Sequence, residues 1–541
     1  MSRSLLCLAL AVLSACGGQS INDVSQQNFT SDEATLLVFD FDGELVTAIP
    51  SPTSSLTPSL LKGQIKAQML YMVGQLNDVR SVARLDKLQL SNVTATAAGA
   101  GLTRIRYHAK LPVAYGSVTN PPASFPVVLP HRIDAAGQAS FFNAYSAGCN
   151  DLEGAQMSVS NYWYHWRPHA SGCTIAAADV VSVTASAAVS TLNTKGKYPE
   201  YHRVWEDGAL DVLAVFGKYA KGATDGSDAG IAAYNQFVAA VLAQLPGASV
   251  TPATLSGVPG AATPEVVVRA TLPDGKIVTV SALLVDEVQS ATPAWIRRYG
   301  ELSTGADLIV YNGHAGLGAN VAALARMGNF FPGKYQIVFF DGCDSFAYAD
   351  DTLATRRAAL NPDDPSGTKY MDVVANAMPA YFANMPDATM AMIRALLHPE
   401  APATYSRIFN EISPDHVVVV SGEEDNAFGP STRLAPIWSA PTETAFVAKS
   451  ESVLYTTDLL PAGTYAFQMT ADQPFAGGDA DLRLRPGAAP PLTAQFKCKS
   501  YLGNSNEKCI LKLTAPAKVF LTVTGDAAGV ESHFVLKGFS L

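Results

Sequence analysis

The chain has 541 residues, a formal charge of −10 and a pI near 5.4, a balance that argues against nucleic acid or an anionic membrane surface as partner. With 48% apolar and 16% charged residues it can bury full cores, and its length predicts about three domains. No internal repeat or long low-complexity tract interrupts it.

Met1-Ser-Arg-Ser is a short positive start, and the apolar run Leu5 to Leu13 is too short for a permanent membrane helix. Leu13-Ser14-Ala15-Cys16 follows. This resembles the lipobox of bacterial lipoproteins, which implies a signal peptide over residues 1–15, lipidation of Cys16 and an exported protein. Gly17 and Gly18 after the cysteine resemble an outer-membrane sorting signal. Residues 16–32 read as a flexible tether, and no later stretch is long and apolar enough to span a bilayer, so the lipid is the only membrane attachment expected.

Residues 33–195 read as an α+β domain to which the sequence assigns no activity. Ala34 to Phe41 predicts a strand, Leu60 to Val79 a helix, and Leu102 to Val113 and Val159 to Arg167 strands. Asp40-Phe41-Asp42-Gly43 reads as a turn. His165 and His169 lie at i, i+4 with no Cys or carboxylate partner in the pattern, so no metal site is expected.

Residues 200–435 predict an α/β domain with a mostly parallel sheet. Its strands are Ala209 to Phe216, Val266 to Leu272, Ile277 to Val285, Asp307 to Tyr311, Tyr335 to Phe340 and His416 to Val420. Helices are expected at Asp228 to Leu245, Pro293 to Tyr299, Val321 to Arg326, Met371 to Phe382 and Thr389 to Leu397. If the last strand is parallel, Glu423, Glu424 and Asp425 reach the same sheet edge as the two central strands, as a solvated loop or a substrate contact.

Those two central strands each run into a reactive side chain. Tyr311 leads to Asn312-Gly313-His314-Ala315-Gly316, and Phe340 to Asp341-Gly342-Cys343-Asp344-Ser345. A β-α-β unit places both strand ends on one edge, where open sheets of this kind hold their sites. Thiol and imidazole form a nucleophile and base pair. The neighbouring glycines permit sharp turns, and the main-chain N–H groups of Gly313, Ala315, Gly316 and Gly342 are candidates for holding an oxyanion.

Over about 45 residues this layout resembles the caspase-like cysteine peptidases. Asp341-Gly342-Cys343-Asp344-Ser345 looks like the Asp-x-Cys-x-Ser of metacaspases, and Tyr311-Asn312-Gly313-His314 like the Tyr-x-Gly-His of gingipain-type enzymes. Ala315 departs from the Gly those families usually carry there. The resemblance implies catalysis by His314 and Cys343, with Asp341 and Asp344 as substrate-binding acids. Asp341 matches the metacaspase position that favours Arg or Lys before the cut, although a turn-capping role is the alternative.

From 445 to 541 short strands alternate with turns, which predicts a β-sandwich. Pro461 to Phe467, Gly478 to Leu482, Cys498 to Tyr501, Asn506 to Cys509 and Val519 to Val523 together resemble the bacterial pre-peptidase C-terminal domain, which implies secretion beside a peptidase. Asp479 and Asp481 read as turn residues, with calcium as the alternative. In an exported chain Cys149 with Cys173 and Cys498 with Cys509 are natural local disulfides, which leaves Cys343 as the thiol.

The expected fold class is therefore an α+β domain, a caspase-like α/β domain with a mostly parallel sheet, and a β-sandwich. The expected function is a lipid-anchored cysteine endopeptidase acting on peptide or protein substrates without a cofactor or metal. The alternative is a surface lipoprotein that uses an inactive domain of this kind for binding.

Overall fold

The structure is a computed structural model. It describes residues 34–49, 56–116, 121–151, 157–190, 197–255, 257–399, 402–413, 416–421, 435–436, 442–449, 451–471, 478–487, 498–500, 504–526 and 531–541. They form two compact units. The first holds the described residues of 34–190, 201–399 and 408–421, the second those of 197–200, 402–407 and 435–541.

The first unit opens with an antiparallel sheet of β1 (Thr35–Thr47), β2 (Ser81–Ala83), β3 (Gln89–Gly99), β4 (Leu102–Tyr115), β5 (Ser124–Pro130) and β6 (Val180–Val189), in the order β2-β4-β1-β6-β5 with β3 on β4. In β1 the period of two buries Leu37, Phe39, Phe41 and Leu45. Asp40 and Asp42, on the other face, both meet His108, at 3.0 and 2.9 Å. The turn expected at Asp40 to Gly43 is thus strand interior. Gly43 lies against the Tyr107 ring, where a Cβ would come within 2.3 Å of it. Pro58–Asn77 is a helix capped by Thr57, whose hydroxyl accepts from Leu60 N at 3.2 Å. The strand expected over Val159 to Arg167 is instead a single helical turn, Tyr162–His165. There Tyr162 and Trp166 pack edge to face with Tyr71, so ring packing rather than strand pairing fixes the segment. The Cys149–Cys173 disulfide closes this region.

A second, eight-stranded sheet holds β7 (Ala209–Gly217), β8 (Ser249–Thr251), β9 (Glu265–Thr271), β10 (Ile277–Val285), β11 (Leu308–Asn312), β12 (Gln336–Asp341), β13 (Met371–Asn376) and β14 (Val418–Ser421), in the order β14-β13-β12-β11-β7-β10-β9-β8. β10, β7, β11, β12 and β13 pair in parallel, and β8, β9 and β14 join antiparallel at the two margins. The helix expected over Met371 to Phe382 is in fact β13 followed by an irregular strap. All six residues of β13 are buried between β12 and β14, and ladder pairing wins over helical periodicity. β14 is antiparallel, with Ser421 opposite Val373 early in β13, so it leads away from the edge carrying His314 and Cys343. The acids Glu423, Glu424 and Asp425 lie outside the described residues.

The expected fold class is corrected by this topology. Strands predominate and most of their pairings are antiparallel. The parallel ladders sit within one mixed sheet that does not stand as a separate caspase-like α/β body. Phe346, Ala375, Val417 and Val419 share one hydrophobic core with Leu37, Phe39, Val73 and Trp166. The reason is apolar burial: the eight-stranded sheet covers one side of the N-terminal core, so the two close as one body.

The second unit has two sheets, ordered β15-β17-β22-β19-β20 and β16-β23-β18-β21. The strands are β15 (Ala435–Pro436), β16 (Thr442–Val447), β17 (Ser452–Thr456), β18 (Gly463–Ala471), β19 (Ala480–Pro486), β20 (Cys498–Ser500), β21 (Glu507–Leu513), β22 (Val519–Gly525) and β23 (Ser532–Ser540). Tyr455, Leu482 and Val523 from one sheet and Phe467, Leu511 and Phe534 from the other share a core. Cys509 is disulfide-bonded, while the side chain of Cys498 lies outside the described residues.

The Cys149–Cys173 bond spans 24 positions. Replacing both cysteines by serine should cost about 3 kcal/mol, mainly by freeing the unfolded chain. Urea unfolding of this variant beside the wild type checks the figure, and an unchanged midpoint would refute it.

Candidate functional site

β11 and β12 run side by side with Asn312 opposite Asp341, and Gly313 N donates to Asp341 O at 3.1 Å. Each chain then turns out of the sheet, and two residues further on stand His314 and Cys343. The turns almost touch: a Cβ at Gly342 would lie 2.7 Å from Gly313 O and 3.3 Å from Ala315 N, and one at Gly313 would lie 2.8 Å from the Tyr311 hydroxyl. Only glycine fits at either place. Tyr311 Oη and Asn320 Nδ2 each donate to His314 O at 2.8 Å, fixing the backbone from which the imidazole projects.

The His314 ring lies 5.0 Å from Tyr219 and 4.9 Å from Phe382, centroid to centroid. Its Nε2 is 3.2 Å from Tyr219 O. A carbonyl only accepts, so Nε2 carries the proton and Nδ1 is the basic nitrogen of the neutral ring. Cys343 takes part in no disulfide and is 3% exposed. Its Sγ accepts from Ala380 N at 3.5 Å and lies 3.6 Å from Ala380 O.

Ala380 belongs to the strap after β13, which covers the thiol. Asp344 N donates to Met378 O at 3.2 Å, and Phe382 closes against His314. Tyr381 N donates to His416 Nε2 at 2.9 Å. Since Nε2 accepts, His416 carries its proton on Nδ1, which lies 3.6 Å from Asp341 Oδ1. Asn376 Nδ2 donates to the same carboxyl at 2.6 Å. Both members are fully buried. Burial pushes Asp341 up to about 7 against the Asn376 hydrogen bond, and burial pushes His416 down to about 4. In weak acid the contact is therefore a neutral acid beside a neutral imidazole rather than an ion pair.

The sequence-predicted residues fall as follows. His314 and Cys343 are brought to one edge. Among the described residues Ala315 N and Gly316 N donate to no main-chain carbonyl, whereas Gly313 N is committed to Asp341 O and Gly342 N to Phe340 O at 3.1 Å. An oxyanion role therefore narrows to Ala315 and Gly316. Asp341 presents no atom to solvent, so it offers nothing to a substrate side chain in this conformation. Asp344 is also fully buried and left-handed, with φ 50°. It accepts from Tyr164 Oη at 3.1 Å and from the Asn77 amide, and so ties the Cys343 turn to the helix Pro58–Asn77 and the helical turn Tyr162–His165. Cys16 lies outside the described residues. Sequence reasoning missed Asn77, Tyr164, Tyr219, Asn376, Phe382 and His416. They converge from distant segments and carry no local motif; His416, singled out only as the start of a strand, had the one visible signal, an ionisable residue heading an apolar run.

No family model and no curated protein matches the chain. Among solved structures it is similar to a periplasmic lysozyme inhibitor (PliG) of Aeromonas hydrophila, at 15% identity over 18% of this chain and 84% of that one, TM-score 0.16. It is also similar to the pre-peptidase C-terminal domain of a Bacillus anthracis collagenase, at 11% identity over 18% and 87%, TM-score 0.15. A third is the surface-associated copper-binding protein CorA of Methylomicrobium album BG8, at 8% identity over 19% and 94%, TM-score 0.14. Among the described residues no helix is long and apolar enough to cross a membrane.

The buried pair makes a signed prediction. Asp341 has a raised folded-state pKa, so stability is lost as pH rises from its ordinary 3.8 through about 7. His416 has a lowered one, so its contribution is present above 6.5 and lost as pH falls through about 4. In the wild type the two slopes oppose each other. Relative to wild type, Asp341→Asn should become more stable as pH rises from 4.5 to 6.5, and His416→Gln, whose Oε1 can replace Nε2 as acceptor, should become less so. Urea unfolding at several pH values measures both, and parallel slopes for all three proteins would refute the pair.

Proposed function

We propose that this chain is an exported cysteine endopeptidase in which Cys343 is the nucleophile and His314 the base. The observation that carries the reading is the crossing of the two glycine turns, which holds a histidine and a thiol outside any disulfide at adjacent strand ends. The disulfide-bonded Cys149, Cys173 and Cys509 suit an oxidising compartment, in which such a thiol needs a use. His314 Nδ1 would take the thiol proton as Sγ attacks a peptide carbonyl. The resulting oxyanion would be received by Ala315 and Gly316 N–H, and the imidazolium would then protonate the departing amine. Water hydrolyses the thioester in the second half. Export and anchoring rest on the lipobox-like Leu13-Ser14-Ala15-Cys16. A preference for basic residues is not part of the proposal, because Asp341 is wholly buried.

Burial of Cys343 beneath Ala380 and Phe382 favours a second reading, a binding protein whose thiol is never used. The two separate by reactivity and turnover. On a peptide library, Cys343→Ala and His314→Ala should each lower kcat/KM by at least about a thousandfold, with non-additive effects in the double variant because the residues act as one unit. Wild-type cleavage by Cys343→Ala would remove the nucleophile assignment. Absence of both cleavage and iodoacetamide labelling of native protein near pH 7 would favour the binding reading.

A further inference from the structure

A cavity of about 840 Å³ lies in the first unit, between β1 and β4 of the N-terminal sheet and the eight-stranded sheet. That volume falls in the range of small-molecule sites. Most of its wall is apolar: Leu36 and Val38 from β1, Phe340 from β12, Phe346 from the turn after Cys343, and Leu353 and Val373 beyond. Of the charged groups in its lining, Arg84, Asp86, Lys87, Asp351 and Lys110 are ion-paired within the protein, and Asp350 is bonded to a main-chain amide. Arg84 Nε meets Asp86 at 2.9 Å, and Arg84 also donates to Ser421 Oγ. Lys87 meets Asp351 at 3.6 Å, Lys110 meets Asp40 at 3.2 Å, and Asp350 accepts from Thr352 N at 2.9 Å. Lys87, Lys110, Asp350 and Asp351 are the exposed members and so mark the mouth.

From this geometry we infer a binding site for an uncharged, mainly aliphatic small molecule with one polar end, of the medium-chain alcohol or amide class. A charged head would lose its own hydration against the apolar wall, and an anionic one would also have to break one of the mouth's ion pairs to gain a partner, whereas an uncharged hydroxyl or amide leaves those pairs intact. The alkyl body displaces water from apolar walls on both sheets, which supplies the affinity. The site is independent of the proposed catalysis, since none of its walls is His314 or Cys343.

The test uses the uncharged fluorophore N-phenyl-1-naphthylamine on the full chain, with decanol, decanoate and decyltrimethylammonium as competitors. Saturable binding of one probe per chain is expected, displaced by decanol at least tenfold more effectively than by either ion. Val38→Trp and Ala354→Phe, which fill the cavity from opposite sides, should each weaken probe binding at least tenfold. A decyl diazirine alcohol should cross-link to peptides containing Leu36 to Val38 or Phe346 to Ala354, a readout that needs no variant to fold. Non-saturable binding, equal or better displacement by an ion, indifference of a folded variant, or cross-linking elsewhere would each overturn the proposal.

Discussion

The contact on which the site depends is the approach of two turns with no room for a side chain between them. Parallel pairing brings Asn312 beside Asp341, and hydrogen bonding of Gly313 N to Asp341 O carries the alignment one residue past the ladder. Gly342 then passes within contact of Gly313 O. A methyl group at Gly342 would drive the turns apart, and His314 and Cys343 with them. Everything nearby reinforces this crossing. Tyr311 and Asn320 hold the His314 carbonyl, while Ser345 Oγ donates to Phe340 O and accepts from Asn376 N, bracing the turn from below.

Around the crossing, polar groups are buried where they cannot meet a substrate but can set positions. Asp341 is hydrogen-bonded to Asn376 and lies beside the neutral His416 ring in weak acid, and His416 accepts from the strap that lies over Cys343. One backbone N–H of that strap, at Ala380, points to Sγ. The same arrangement that shields the thiol therefore offers it a donor able to favour the thiolate, and under the proposed peptidase reading the strap would have to move to admit a substrate.

Legibility from sequence followed the range of the interactions. The helix at Pro58–Asn77, the hairpin of β9 and β10, and the pair β11 and β12 rest on local periodicity and turn residues, and their signals lie within a few positions. Met371 to Phe382 misled because an apolar run with small residues fits a helix as readily as a strand, and pairing with β12 and β14 decides it. The direction of β14 was equally hidden, since nothing in Val418 to Ser421 encodes whether it joins parallel or antiparallel. The fold class failed for the same reason: whether two sheets stand apart or close on one core is settled by contacts such as Phe346 with the N-terminal sheet, far apart in sequence. At the site, His314, Cys343 and their glycines were readable as a pattern, whereas the orienting residues were not.

The bond from Tyr164 to Asp344 and the shared core have a consequence for assembly. The N-terminal sheet lacks Phe346 and Ala375 until more than three hundred residues have been made, and Val417 and Val419 until more than four hundred. During synthesis its exposed apolar face must wait, at risk of wrong partners, for strands that arrive late. The turn that carries Cys343 is bonded to Tyr164 and Asn77 through Asp344, so a nascent or truncated chain would carry the thiol without the full packing around it.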